Sequence, residues 1–289
     1  MLVRWISALV GIPLFLGLCL WGREPFGLAV FLIALVALTE LMGVWRKQGI
    51  RANLLVVSGG LVLPLYAWVN WLDGGPGQDW AKAMRAESLV FVGGAILFLA
   101  AVAEVLHAAK TGEMTAGRNL GYALLGAWYI SLFSGLAWLR AGTLPVRDGY
   151  FPHMESGVAH TLLTVFSVWA ADSFALFAGK AFGKNKLAPL LSPGKTSEGF
   201  IGGLIAAMVF GALFGHLFLM SPGLGACIGM VAGIFGQIGD LFESALKREA
   251  GVKDFGGIMP GHGGVLDRFD SLLFVAPLAC VVFNIAGRL

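Results

Sequence analysis

Residues 199–220 read GFIGGLIAAMVFGALFGHLFLM and, after Ser221, residues 222–243 read PGLGACIGMVAGIFGQIGDLFE. Each stretch is close to the ~20 residues a helix needs to cross the hydrocarbon of a bilayer. Similar apolar runs lie near 5–22, 26–45, 53–72, 88–107, 119–139, 158–179 and 268–287. Only helices or closed barrels satisfy the backbone in lipid, and these runs are too continuous for the alternating pattern of barrel strands. The sequence therefore predicts an all-α polytopic integral membrane protein of about nine transmembrane helices.

Composition excludes a soluble globular chain. The 289 residues are 57% hydrophobic and only 13% charged, with a mean hydropathy of +0.81, where soluble domains carry about 25% charge. The 42 glycines are scattered among Leu, Ala, Val and Phe without a Gly-X-Y period, as close helix packing in lipid requires. Spacings such as Gly199 to Gly203 and Gly211 to Gly215 permit helix pairing, equally within one chain or across a homodimer. A net charge of +3, from 20 Lys and Arg against 17 Asp and Glu, is too small an excess to point to nucleic acid. Cys19, Cys227 and Cys280 lie in apolar runs without CxxC spacing and read as small hydrophobes, not as disulfide or zinc ligands.

Orientation follows from the cations. Loops on one side hold 14 of the 20 Lys and Arg and those on the other hold six (Arg23, Lys82, Arg85, Arg140, Arg147 and Arg288). The positive-inside rule then puts the N-terminus in the cytoplasm and the C-terminus outside. The first run is followed by Trp21-Gly22-Arg23-Glu24, which offers no small-residue cleavage site, so it is kept as a span. Trp5, Trp21, Trp45, Trp68, Trp71 and Trp138 fall near expected helix ends, as in an aromatic belt.

Two regions differ in character. Residues 1–157, about five spans, keep their charges mainly in loops; Glu40 and Glu104 are exceptions that read as snorkelling groups or single interhelical hydrogen bonds. In residues 158–289, about four spans, ionisable groups enter the spans and the loops fill with Gly, Pro, Lys and Asp, so the chemistry is expected there. Asp172-Ser173 sits inside a span, where an aspartate costs roughly 2.5 to 3.5 kcal/mol unless it has a partner, water or a cation. The loop KAFGKNKLAPLLSPGKTSEG (180–199) ends in Gly194-Lys195-Thr196. Pro189 stands where a Walker motif needs glycine and no strand is expected ahead of it, so it is no P-loop. Ser192, Thr196 and backbone N–H groups beside Lys195 nonetheless suit an anionic phosphate at a helix start, and Glu198 is placed to cap that helix or reach a metal.

Asp240, Glu243, Ser244 and Lys247 share one helical face. The stretch KREAGVKDFGGIMPGHGGVLDRFDS (247–271) follows, with Lys253-Asp254, His262 in a glycine turn, and Asp267-Arg268-x-Asp270-Ser271. Asp267, Asp270 and Ser271 share a face at the start of the last span. Carboxylates among lysines and arginines, without a Cys/His set, suit a hard cation such as Mg2+.

The 27 residues SALKREAGVKDFGGIMPGHGGVLDRFD (244–270) resemble the signature of the phosphatidate cytidylyltransferase (CDP-diacylglycerol synthase) family. Asp172-Ser173-x-Ala175 and Ser192-Pro193-x-Lys195-Thr196-x-Glu198-Gly199 are similar to that family in the same order. Met259 stands where the signature usually has Leu, Ile or Phe, Gly194 where a second lysine is common, and Leu176 where an aromatic is frequent. The resemblance implies transfer of CMP from CTP to phosphatidic acid, giving CDP-diacylglycerol and pyrophosphate, with Mg2+ and a second cation as an option, in the cell (inner) membrane with the site facing the cytoplasm. It implies Asp267 and Asp270 as metal ligands with Asp240 as a further carboxylate, and Asp172 and Lys247 in the catalytic centre. Lys195, Arg248, Lys253 and Arg268 would take phosphates, with Ser192, Thr196, Glu198, Ser244, Asp254, His262, Gly263 and Gly264 completing the substrate site. The alternatives are a CTP-dependent lipid-alcohol kinase, which would release CDP, and an ion-coupled secondary transporter using Asp172, Asp240 and Glu243.

Overall fold

A computed structural model describes residues 2–66, 86–142, 150–151, 153–219, 221–258 and 263–287. Its helices are α1 (Leu2–Trp21), α2 (Arg23–Lys47), α3 (Leu54–Ser58), α4 (Ala86–Thr111), α5 (Ala116–Ser131), α6 (Ser134–Arg140), α7 (Ser156–Phe182), α8 (Ser197–Leu219), α9 (Pro222–Glu249) and α10 (Leu266–Ile285). Among the described residues seven stretches are long and apolar enough to cross a membrane: α2, the described part of α4, α5 with α6, and α7 through α10. The expected span at 53–72 is helical over Leu54–Tyr66, and the rest of it lies outside the described residues.

The expectation of no strand before α8 is corrected. Lys186–Ala188 (β1) and Ser192–Thr196 (β2) pair antiparallel, with Lys186 opposite Thr196 and Ala188 opposite Ser192. Gly194-Lys195-Thr196 belongs to β2 itself instead of forming a loop between strand and helix, and Pro189 still stands in the place of the glycine, so the stretch is no Walker motif. Thr196 Oγ1 accepts the Gly199 N–H at 3.1 Å, which satisfies one of the orphan donors at the start of α8.

Two compact units form, Met1–Phe26 with Gly135–Leu289, and Gly27–Ser134. In the second, Asn119 Nδ2 donates to buried Glu104 at 3.0 Å, an interhelical hydrogen bond of the kind read for that carboxylate.

The first unit is built on glycine. A Cβ on Gly225 would lie 2.1 Å from the Gly211 carbonyl oxygen, and one on Gly229 would lie 2.1 Å from that of Ala207. Helices α8 and α9 thus meet backbone to backbone, which is how helices gain contact where lipid offers no hydrophobic drive between them. On its other side α8 meets α7, where a Cβ on Gly203 would come within 2.6 Å of the Ala171 carbonyl oxygen. Replacing Gly225 by Val is expected to cost at least about 1–3 kcal/mol through overpacking; a thermal melt in detergent will read it as a lower Tm.

Buried Arg140 fastens the opposite end of this unit. Its Nε donates to the Cys19 carbonyl at 2.7 Å and its Nη1 pairs with Glu155 at 2.6 Å. The guanidinium thereby satisfies a carbonyl in the last turn of α1 and ties α1 to the start of α7.

Candidate active site

Glycine also sets the register of the site. A Cβ on Gly239 would meet the Asp270 carbonyl oxygen at 2.6 Å, so its absence lets the first turn of α10 lie against α9 beside Asp240. Asp240 and Glu243, one turn apart on α9, then converge with Asp270. Ligand oxygens of all three lie within 4.8 Å of one another. Asp270 Oδ1 accepts the Ser271 N–H at 2.6 Å, and Ser244 Oγ donates to Asp240 Oδ1 at 3.4 Å.

Glu243 is fully buried, and its Oε1 has no hydrogen-bond partner among the described residues; Oε2 accepts from Lys247 Nζ. A buried carboxylate oxygen without a donor is costly, and a hard cation among three carboxylates removes that cost. The oxygen-only donor set suits Mg2+ better than zinc. Sequence spacing puts Glu243 on the Asp240 face without giving it a place among the expected ligands. Its i, i+3 spacing from Asp240 was the signal, and its burial depends on how α10 packs.

Asp267 stands apart from that group. Its Oδ1 accepts from Lys247 Nζ at 2.9 Å, and its Oδ2 accepts the N–H groups of Phe255 at 3.0 Å and Gly264 at 2.7 Å. Asp267, expected as a ligand beside Asp270, thus holds the loop between α9 and α10 through these contacts and is not one of the three converging carboxylates. Gly263, at φ +80°, is left-handed and packs so tightly that a Cβ would meet Asp267 Oδ2 at 2.8 Å and Asp254 Oδ1 at 3.2 Å, so only glycine fits.

The β-hairpin delivers a cation from the other side. Lys195 Nζ pairs with Asp240 Oδ2 at 2.8 Å. Glu198, instead of facing the site, accepts the N–H groups of Lys184 and Asn185 and the Asn185 side-chain amide at 2.8 Å, which holds the base of the hairpin. Arg248 Nε donates to the Leu191 carbonyl at 3.2 Å and ties the hairpin to the end of α9.

These groups open into one cavity of about 930 Å³, near the upper end of the roughly 300–1,000 Å³ typical of small-molecule sites. Asp172, Lys195, Thr196, Asp240, Lys247, Asp267, Arg268 and Asp270 line it, as do Glu243 and Lys180. Ser192, Ser244, Lys253, Asp254, Gly263 and Gly264, like Arg248 and Glu198, lie outside the lining, and His262 lies outside the described residues. The wall carries five acidic groups (Asp172, Asp240, Glu243, Asp267, Asp270) and four basic ones (Lys180, Lys195, Lys247, Arg268). Such a wall can hold a cation and polyphosphate together. Gln237 and Ser271 also line it, and the remainder is glycine and apolar side chains, among them Phe15 of α1 and Val165, Val168 and Trp169 of α7.

Sequence comparison bears on the same residues. The phosphatidate cytidylyltransferase of Staphylococcus haemolyticus (strain JCSC1435) is 35% identical over 281 residues, covering 96% of this chain and 97% of that protein. Those of Staphylococcus aureus (strain COL) and Staphylococcus epidermidis (strain ATCC 12228 / FDA PCI 1200) are 32% and 33% identical with the same coverage. The profile of the Cytidylyltransferase family matches residues 2–286, taking in every helix that builds the cavity, and the chain belongs to that family.

Proposed function

We propose that the protein transfers the cytidylyl group of CTP to phosphatidic acid, forming CDP-diacylglycerol and releasing pyrophosphate. The observation that carries this reading is a single cavity in which a carboxylate cluster flanked by lysine and arginine shares its walls with an apolar surface inside a membrane-spanning bundle. The names of the curated relatives support it. Asp240, Glu243 and Asp270 are the residues that would hold Mg2+, and when bound the ion supplies charge neutralisation for the phosphates. The distribution of Lys and Arg supports a cytoplasmic site in the cell membrane, on the side where nucleotide is found.

The phosphate oxygen of the lipid attacks the α-phosphorus of CTP in line. One P–O bond forms there as the bond to the β-phosphate breaks, and pyrophosphate carries away the electron pair. The lipid phosphate is already ionised at neutral pH, so the protein needs no strong general base. Its work is positioning and electrostatics. Lys195 of the hairpin and Arg268 of α10, both in the cavity wall, take phosphate oxygens. Lys195 exchanges its pairing with Asp240 for substrate, and Lys247 stays between Glu243 and Asp267, where it holds α9, α10 and their loop in register.

Detergent-purified protein is expected to release pyrophosphate only when CTP, phosphatidic acid and Mg2+ are all present. Omission of any one, ATP in place of CTP, or a chelator should abolish release. Formation of CDP without pyrophosphate would overturn the reading in favour of a kinase.

A further inference from the structure

The polar groups account for only part of the cavity wall. On α7 the lining continues from Asp172 through Trp169 and Val168 to Val165, seven residues and about 10 Å along the helix. Phe15 of α1 and Trp169 pack against a core cluster that contains Val165, Val168 and Leu272. This arm of the cavity is therefore walled by α1, α7 and α10. A cytosine or ribose there would leave polar edges without partners, whereas a hydrocarbon chain loses nothing.

On the α1 side the wall is made by Gly11 and Ile12. A Cβ added to Gly11 meets nothing within 4 Å, so the space beside this glycine is cavity, not a helix contact. Helix α1 is fixed, because Arg140 grips the Cys19 carbonyl in its last turn, and its register against the arm is accordingly set.

We propose that this arm receives an acyl chain of the lipid substrate, and that α1 at Gly11 and Ile12 sets the chain length the enzyme accepts. The proposal rests on the cytidylyl transfer argued above and deepens it. Helix α1 lies far in sequence from the polar motifs, so it can tune the lipid without touching the reacting phosphates.

Gly11→Phe adds a ring at a cavity-lining position where a Cβ meets nothing within 4 Å. Gly17, on the same helix, also has open space around it but does not line the cavity, so Gly17→Phe controls for a bulky residue on α1. Pyrophosphate release is measured with dioctanoyl and with dipalmitoyl phosphatidic acid. Gly11→Phe should lower kcat/KM for the long chain relative to the short one by about tenfold or more, the scale on which apolar pockets discriminate chain bulk, and Gly17→Phe should keep the wild-type ratio. An unchanged ratio in Gly11→Phe, or an equal shift in Gly17→Phe, would overturn the inference while leaving the transferase function standing. Wild-type protein inactive on both lipids would remove the function and the inference together. If Gly11→Phe does not fold, Ile12→Ala decides: widening the arm should shift the ratio towards the long chain, and no shift overturns the proposal.

Discussion

Asp270→Asn is expected to lower cytidylyl transfer about a thousandfold, a loss that corresponds to the several kcal/mol of charge stabilisation a bound metal contributes. The amide keeps the size of the side chain and can still accept the Ser271 N–H, so the helix start survives and only the charge is lost. Removing that charge has a second, opposite consequence. Asp240, Glu243 and Asp270 crowd their oxygens within 4.8 Å, and like charges so close repel. The metal-free variant should therefore melt at a higher temperature than metal-free wild type. Mg2+ should raise the Tm of wild type by mass action and raise that of the variant much less. Turnover near the wild-type rate together with an undiminished Mg2+-induced shift would take Asp270 out of the cation site. Glu243→Gln is predicted to lose turnover and the Mg2+-induced shift in the same way, but without the higher metal-free Tm, because it also removes one of the two carboxylates that compensate Lys247.

The membrane-spanning helices and the clustering of polar motifs in the C-terminal half were legible in the sequence, because span length, hydropathy and motif spacing are properties of contiguous residues. So was the use of glycine for helix contact: the Gly211 to Gly215 spacing seen in the sequence is the one that meets Gly225 and Gly229 in the fold. What escaped depends on contacts between segments. Helical spacing puts Asp267 and Asp270 on adjacent turns and invites pairing them as ligands. Only the return of the loop, which brings the Phe255 and Gly264 N–H groups to Asp267, gives the two carboxylates different partners. Glu243 shares the Asp240 face, where a solvated helix end explains it poorly, but only the packing of α10 against α9 brings it beside Asp270. Helix α1 has the same hydropathy wherever it packs, so its place in the cavity wall leaves no trace in composition. The hairpin escaped for a different reason: its strands are short and rich in Lys, Gly and Pro, residues depleted from strands, and it is held by Glu198 from the next helix.

The different partners of Asp267 and Asp270 lead to the second large effect. In Asp267→Asn the side-chain oxygen can keep accepting the Phe255 and Gly264 N–H groups, but the amide nitrogen is then turned towards Lys247, setting donor against donor. Lys247 keeps its pairing with Glu243 but loses half of its charge compensation in a site where Asp267 is buried. Breaking such a pair from one side costs about 3 kcal/mol or more, read as a lower Tm and as at least about a hundredfold loss in kcat, since the first turn of α10, which carries Arg268, is no longer held against α9 and the loop. The half-saturating Mg2+ concentration should stay near that of wild type, whereas Asp270→Asn should raise it. Adding Lys247→Met to Asp267→Asn removes the uncompensated cation and should recover part of the lost Tm without recovering turnover, a coupling that a double-mutant cycle measures directly. If instead Asp267→Asn shifts the Mg2+ requirement as strongly as Asp270→Asn and leaves the melt unchanged, Asp267 is a ligand as its spacing from Asp270 implies, and the loop must be held by other contacts.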